Sequence, residues 1–234
     1  MPVHEFPTTQ WSLILEVGEK DPEAAKRALV HFCENYWRPV FCYIRHRGNS
    51  YEDSCELTQE FFLRSQQKNY LQGLKKDRGK FRSFLLTMVK GFLANEWDRK
   101  MAIKRGAGQV FLFADVQEGE RSYAKFIDSN MTPERIYDQQ WATLLLERVL
   151  IRLQNEWDQI GKLELFEYLK PCLSGEGGKY REIAGQFQST EGAIKVMVYR
   201  LKERYRFLLR QEIAKTVSEP EEVEDEIRHL ISLF

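Results

Sequence analysis

The chain has 234 residues, 43% of them apolar and 30% charged, with 35 Lys and Arg balanced against 35 Asp and Glu. That length supports one large domain or two small ones, and no run of about 18 apolar residues reads as a membrane span. The four cysteines (Cys33, Cys42, Cys55, Cys172) are scattered without a CxxC pair, which speaks against a zinc site or a disulfide framework and for a reducing cytoplasm; the N-terminus lacks the basic start, apolar stretch and small-residue cleavage site of a signal peptide.

Zero net charge conceals an uneven distribution. Residues 64–105 carry twelve Lys and Arg against three acids, residues 179–215 carry nine against four, and residues 216–234 carry one Arg against six acids. Binding to phosphate follows the local field rather than the total, so two basic blocks offset by an acidic tail are compatible with a nucleic-acid partner.

Taken in order, residues 8–18 predict a short helix capped at Thr8 or Thr9 and ended by Gly18. Asp21-Pro22 opens a second helix, with proline at its first position and Ala24, Ala25, Ala28, Leu29, Phe32 and Cys33 along it. Pro39 starts or kinks another, which ends at Gly48. Residues 50–66 predict a helix capped by Ser50, with Glu52 and Asp53 at its positive end. Cys55, Thr58, Phe61 and Phe62 face inward, and Glu56, Gln59 and Glu60 form an acidic and amide outer face that on physical grounds alone is a solvated surface.

A basic, glycine-containing loop over 67–80 leads into FRSFLLTMVKGFLANEWDRKMAIKRG. Phe81, Phe84, Leu85, Met88 and Phe92 make one helical stripe, and Leu86, Lys90, Leu93 and Trp97 lie roughly opposite. Aromatic rings among Lys90, Arg99, Lys100, Lys104 and Arg105 suit a single-strand binder, in which stacking contributes about 1–3 kcal/mol per base; a helix buried on two sides accounts equally well for Leu86 and Leu93. Residues 106–131 lack helical period and read as a linker, with VFLFADV as a short extended segment. Thr132-Pro133-Glu134 opens a helix over 132–158 with Trp141, Leu144, Leu145, Val149 and Leu153 as core, and a further helix over 160–170 stops at Pro171.

Residues 180–209 then predict a short helix, a turn at Gln188-Ser189 and a long helix capped by Thr190. Ile194, Met197, Val198, Leu201, Tyr205 and Leu208 repeat at helical spacing and form the buried face. Gly192, Lys195, Val196, Tyr199, Lys202 and Arg206 point the other way. A helix-turn-helix that lays its second helix in a DNA major groove has this form, and so does an amphipathic hairpin with a solvated basic face. In the tail, Ile227, Leu230, Ile231 and Phe234 suggest an amphipathic segment. It either covers a basic helix in cis or is an ordinary terminal helix.

Motifs for catalysis are missing. There is no HExxH or GxSxG; the loop Ser174-Gly175-Glu176-Gly177-Gly178 is not followed by GK[ST]; His4, His31, His46 and His229 show no ligand spacing. No catalytic residue, metal site or cofactor is therefore expected.

ELTQEFF (Glu56–Phe62), the basic aromatic helix after it and the 180–209 pair, in this order and separated by a linker, resemble a bacterial sigma-70 family sigma factor of the extracytoplasmic-function type, over roughly residues 10–105 and 132–215. The resemblance implies an all-α fold of two small helical domains joined by a linker, the second with a helix-turn-helix. Residues 1–105 would bind core polymerase and the −10 element, 106–131 would be the linker running toward the RNA exit path, 132–215 would read the −35 element, and 216–234 would be an acidic tail beyond the family pattern. Glu56, Gln59, Glu60 and Phe62 would dock on the clamp helices of the polymerase β′ subunit. Lys80, Arg82, Lys90, Asn95, Trp97, Arg99 and Lys100 would hold the single-stranded −10 element. Thr190, Gly192, Lys195, Tyr199, Arg200 and Lys202 would read double-stranded −35 DNA, with the second domain seated on the β flap. An anti-sigma factor is a further implied partner, and no membrane is involved.

The chain departs from the family where Lys90-Gly91 and Asn95 stand in place of an Arg-Asn-x-x-x-Asp pattern, and where Gln188-Ser189 replaces the usual glycine and apolar residue of the turn. Two other functions stay open at this point: a DNA-binding regulator that acts without replacing sigma, and a protein–protein adaptor. A simple regulator has no need of ELTQEFF, and an adaptor has no need of two basic blocks.

Overall fold

A computed structural model of the chain describes residues 22–65, 79–102, 116–126, 130–175 and 179–234. The described residues are helical and include no strand: α1 (Pro22–His46), α2 (Tyr51–Ser65), α3 (Phe81–Ala102), α4 (Val116–Ala124), α5 (Pro133–Gln159), α6 (Leu163–Leu169), a 3₁₀ turn (Lys170–Leu173), α7 (Tyr180–Gln186), α8 (Glu191–Ala214) and α9 (Glu222–Ile231). Among them no helix is long and apolar enough to cross a membrane. The expected helix over 8–18, most of the basic loop 67–80 and most of VFLFADV lie outside the described residues.

The chain forms two compact units, Met1–Leu144 with Ile213–Phe234, and Leu145–Glu212. This division differs from the expected one. The N-terminal half of α5 and the acidic tail belong to the first unit, because Ile136, Tyr137 and Trp141 are core residues there: Tyr137 stacks edge-on to Tyr43 at 6.4 Å and its hydroxyl donates to the Arg82 carbonyl at 3.1 Å.

Aromatic packing builds the first unit. Phe32, Tyr36, Trp37 and Phe41 of α1 meet Phe61 and Phe62 of α2 and Phe81 and Phe92 of α3, with ring centroids 5.0 Å apart for Phe32–Phe62 and Tyr36–Phe81 and 5.7 Å for Phe61–Phe92. Burial of each such ring contributes on the order of 1.5–3 kcal/mol. That is the physical reason α1 runs through Pro39 as one helix, so the proline does not start a new helix there. An interior proline costs about 3 kcal/mol, and the fully buried Tyr36, Val40, Phe41, Cys42, Tyr43 and Ile44 on both sides of it outweigh that cost.

The caps follow the sequence. The Asp53 amide donates to Ser50 Oγ at 3.0 Å, and the Arg135 amide to Thr132 Oγ1 at 3.2 Å. The second part of the expected linker is a helix instead, and α4 packs on α1. Its contact positions are Gly119, Ser122 and Tyr123, at i, i+3 and i+4, two of them too small to register as apolar. A Cβ on Gly119 would stand 3.1 Å from the Phe41 ring, and Cys42 Sγ donates to the Gly119 carbonyl at 3.8 Å.

In the second unit, Leu145, Val149 and Leu153 of α5, Leu165, Phe166 and Leu169 of α6, Ile183 and Ala184 of α7, and Ile194, Val198, Leu201 and Leu208 of α8 form the core. Leu144, Met197 and Tyr205, expected inside, are half-buried. Arg204 grips Glu156 through two 2.7 Å hydrogen bonds and ties α8 to α5.

Candidate nucleic-acid interface

Within the second unit, α7 ends in a Schellman motif. The Ser189 amide donates to the Ala184 carbonyl at 2.8 Å and the Gln188 amide to the Gly185 carbonyl at 3.4 Å. The motif needs a left-handed residue, and Gln188 supplies it at φ 48°, the one non-glycine with positive φ among the described residues. The turn expected from the departure at Gln188-Ser189 is thus closed in full, at the conformational cost of a side chain where glycine is favoured. Thr190 caps α8: its Oγ1 accepts from the Ala193 amide at 3.2 Å.

The outward face of α8 presents Gly192, Lys195, Val196, Tyr199 and Arg200, all exposed, while Lys202 is half-buried. Tyr199 is 66% exposed. Lys195 Nζ lies 2.6 Å from Glu191, and that hydrogen bond holds the Glu191 carboxyl below its ordinary range and the Lys195 amine above its own. A Cβ on Gly192 would meet nothing within 4 Å, so packing inside the chain does not require a glycine there. All six residues expected at the −35 element thus fall on the start of α8 or its cap.

In the first unit the clamp-binding set is divided. Glu56 is exposed, and Glu60 is half-buried and accepts from Arg64 Nε at 2.7 Å. Gln59 is 6% exposed and Phe62 2% exposed, which corrects the expectation for both. The buried residues of α2 cover a wide arc (Ser54, Leu57, Thr58, Gln59, Phe61, Phe62, Ser65), because α2 packs against both α1 and α3. Only a narrow strip through Glu52 and Glu56 is left outside.

The expected −10 set is divided as well. Lys90 and Asn95 are exposed on α3, with Lys90 Nζ 2.8 Å from Glu134. Trp97, Arg99 and Lys100 lie in the last turns of α3, and their side chains fall outside the described set. Of the stripe on α3, Phe81, Phe84, Leu85 and Phe92 are buried with Val89, whereas Met88 is half-buried. Arg82, expected on DNA, is 8% exposed and turned inward. It donates to Glu226 from Nε at 2.5 Å and to Asp138 from Nη1 at 2.8 Å, and its guanidinium lies 5.4 Å from the centre of the Trp141 ring. Burial works against the Arg82 charge, but the hydrogen bond to Glu226 and the charges of Asp138 and Glu226 outweigh it and raise its pKa. Lys80 Nζ lies 3.0 Å from the same Glu226 carboxylate.

Glu226 and Asp138 were not anticipated. The signal for Glu226 was available: it sits at i with Leu230 and Leu233 at i+4 and i+7, and these three face inward, while Ile231 and Phe234 of the expected apolar face are exposed. Among the described residues no group of three or more His, Cys, Asp or Glu is placed to hold a metal ion. No protein-family model, curated protein or solved structure matches the chain.

Proposed function

We propose that this chain is a promoter-specificity subunit of bacterial RNA polymerase, a sigma factor of the extracytoplasmic-function kind. The observation that carries the reading is the first half of α8: a capped helix, entered through a closed turn, that exposes a glycine, a lysine, a tyrosine and an arginine on one face. A helix so presented fits the major groove, whose base edges and flanking phosphates take Lys and Arg. The Lys195–Glu191 pair is exposed, so exchanging the carboxylate for a DNA phosphate costs little. The glycine at 192 lets a sugar-phosphate backbone approach closely.

The acidic strip of α2 through Glu56 supports docking on a basic or amide-rich helix of the polymerase, and the basic C-terminal end of α3 supports a hold on the melted strand. Catalysis belongs to the polymerase in this reading; the chain supplies position and strand separation. The test is Lys195→Ala with Arg200→Ala. Recognition of the −35 element drops about tenfold or more, as expected when one or two base or phosphate contacts are removed, and core-polymerase affinity stays unchanged. Equal loss of both affinities refutes the assignment.

A further inference from the structure

The acidic tail is anchored on Lys80 and Arg82, two cations at the start of α3 that the sigma-factor resemblance assigns to the melted strand. Glu226 has no solvent exposure. Its two carboxylate oxygens receive Arg82 Nε at 2.5 Å, Arg82 Nη2 at 3.3 Å and Lys80 Nζ at 3.0 Å. Around this cluster the tail makes backbone contacts: the Phe81 amide donates to the Thr216 carbonyl at 2.9 Å, Ser218 Oγ to the Gly79 carbonyl at 3.0 Å, and Gln139 Nε2 to the Leu233 carbonyl at 2.6 Å. Leu230 and Leu233 are the buried apolar anchors of the segment, and Val217 precedes them.

A carboxylate gripped by two guanidinium nitrogens and an ammonium is held as a phosphate group is held. A buried ion cluster is also a weak source of stability, since well-packed apolar residues often serve as well. Lys80 closes the basic loop of 67–80 and Arg82 is the second residue of α3. The segment that reaches them is the most acidic in the chain.

We propose that residues 216–234 are a cover held in cis: Glu226 stands in for a nucleic-acid phosphate between Lys80 and Arg82, and the segment lifts off when a single strand takes those cations. This rests on the reading above and adds regulation to it.

Leu230→Ser with Leu233→Ser, in the full chain, releases the cover while leaving both cations in place. Affinity for a fluorescein-labelled, mixed-sequence single-stranded oligonucleotide then rises about tenfold, and the salt slope steepens by about 1.4, the value for two added phosphate contacts on a single strand. Arg82→Ala in that background abolishes the gain. An unchanged affinity in a folded variant, or a gain that survives Arg82→Ala, overturns the proposal. The unaltered chain gives a second measurement that does not depend on the variant folding: saturating oligonucleotide speeds hydrogen exchange at the amides of 222–231. Undiminished protection with the strand bound, or no strand binding at saturating concentrations, overturns it as well. Promoter-directed initiation with core polymerase is scored separately. Tail-dependent strand binding without initiation refutes the sigma-factor reading and leaves the cover standing, and initiation that is indifferent to the release refutes the cover alone.

Discussion

Gln188→Gly tests the turn through which the chain enters α8. Gln188 is held at φ 48° by the two hydrogen bonds that close α7. A residue with a Cβ costs about 1–2 kcal/mol in the left-handed region. Glycine removes that cost and adds back roughly 0.5–1 kcal/mol of unfolded-chain entropy, so the variant is more stable by about 0.5–1 kcal/mol. The side chain of Gln188 is exposed, so its loss takes no packing away. In a chain of this size that gain raises the melting temperature by about 1–4 °C, read by thermal unfolding with far-ultraviolet circular dichroism. Gln188→Ala is the control: it keeps the Cβ and the strain, and leaves the melting temperature within about 1 °C of the parent. Equal behaviour of the glycine and alanine variants, or a less stable glycine variant, refutes the argument that a left-handed glutamine strains this turn.

Gly119→Ala reverses the usual sign of a helix-interior substitution. The ordinary gain of about 1 kcal/mol gives way to a loss of about 1–3 kcal/mol, because the new methyl crowds the fully buried Phe41 ring; denaturant unfolding checks it, and a stabilised variant contradicts the close approach. On α2, Phe62→Ala lowers stability by about 3–5 kcal/mol as a core cavity does, whereas Glu56→Lys leaves stability within about 0.5 kcal/mol and weakens binding to core polymerase. Loss of polymerase affinity on Phe62→Ala in a chain that keeps its stability assigns the phenylalanine to the interface instead.

Helix positions were legible wherever an apolar period coincided with a cap, as at Ser50, Thr132 and Thr190. The same rule failed at α4, where the buried face is made of Gly119, Ser122 and Tyr123 and carries almost no hydropathy signal. Pro39 starts no new helix because the cost of an interior proline is local, while the burial that outweighs it comes from the neighbouring helices. On α2, Gln59 sits next to Thr58 on a face that one neighbouring helix would leave solvated; a second neighbour buries it, and no sequence period announces the second neighbour. Most of the outward α8 face was readable because its apolar stripe at helical spacing marks the side that packs inward, leaving Gly192, Lys195, Val196 and Tyr199 exposed, although Lys202 is half-buried. Arg82 was not, because its partners Glu226 and Asp138 are 144 and 56 residues away.

Transcription by core RNA polymerase supplemented with this chain, with start sites mapped across a pool of genomic promoters, decides whether the chain confers promoter specificity. Initiation is expected at a discrete set of promoters that share an upstream duplex element and a melted downstream element, and that set is lost with Lys195→Ala and Arg200→Ala. Transcription indistinguishable from that of core polymerase alone would contradict the sigma-factor reading.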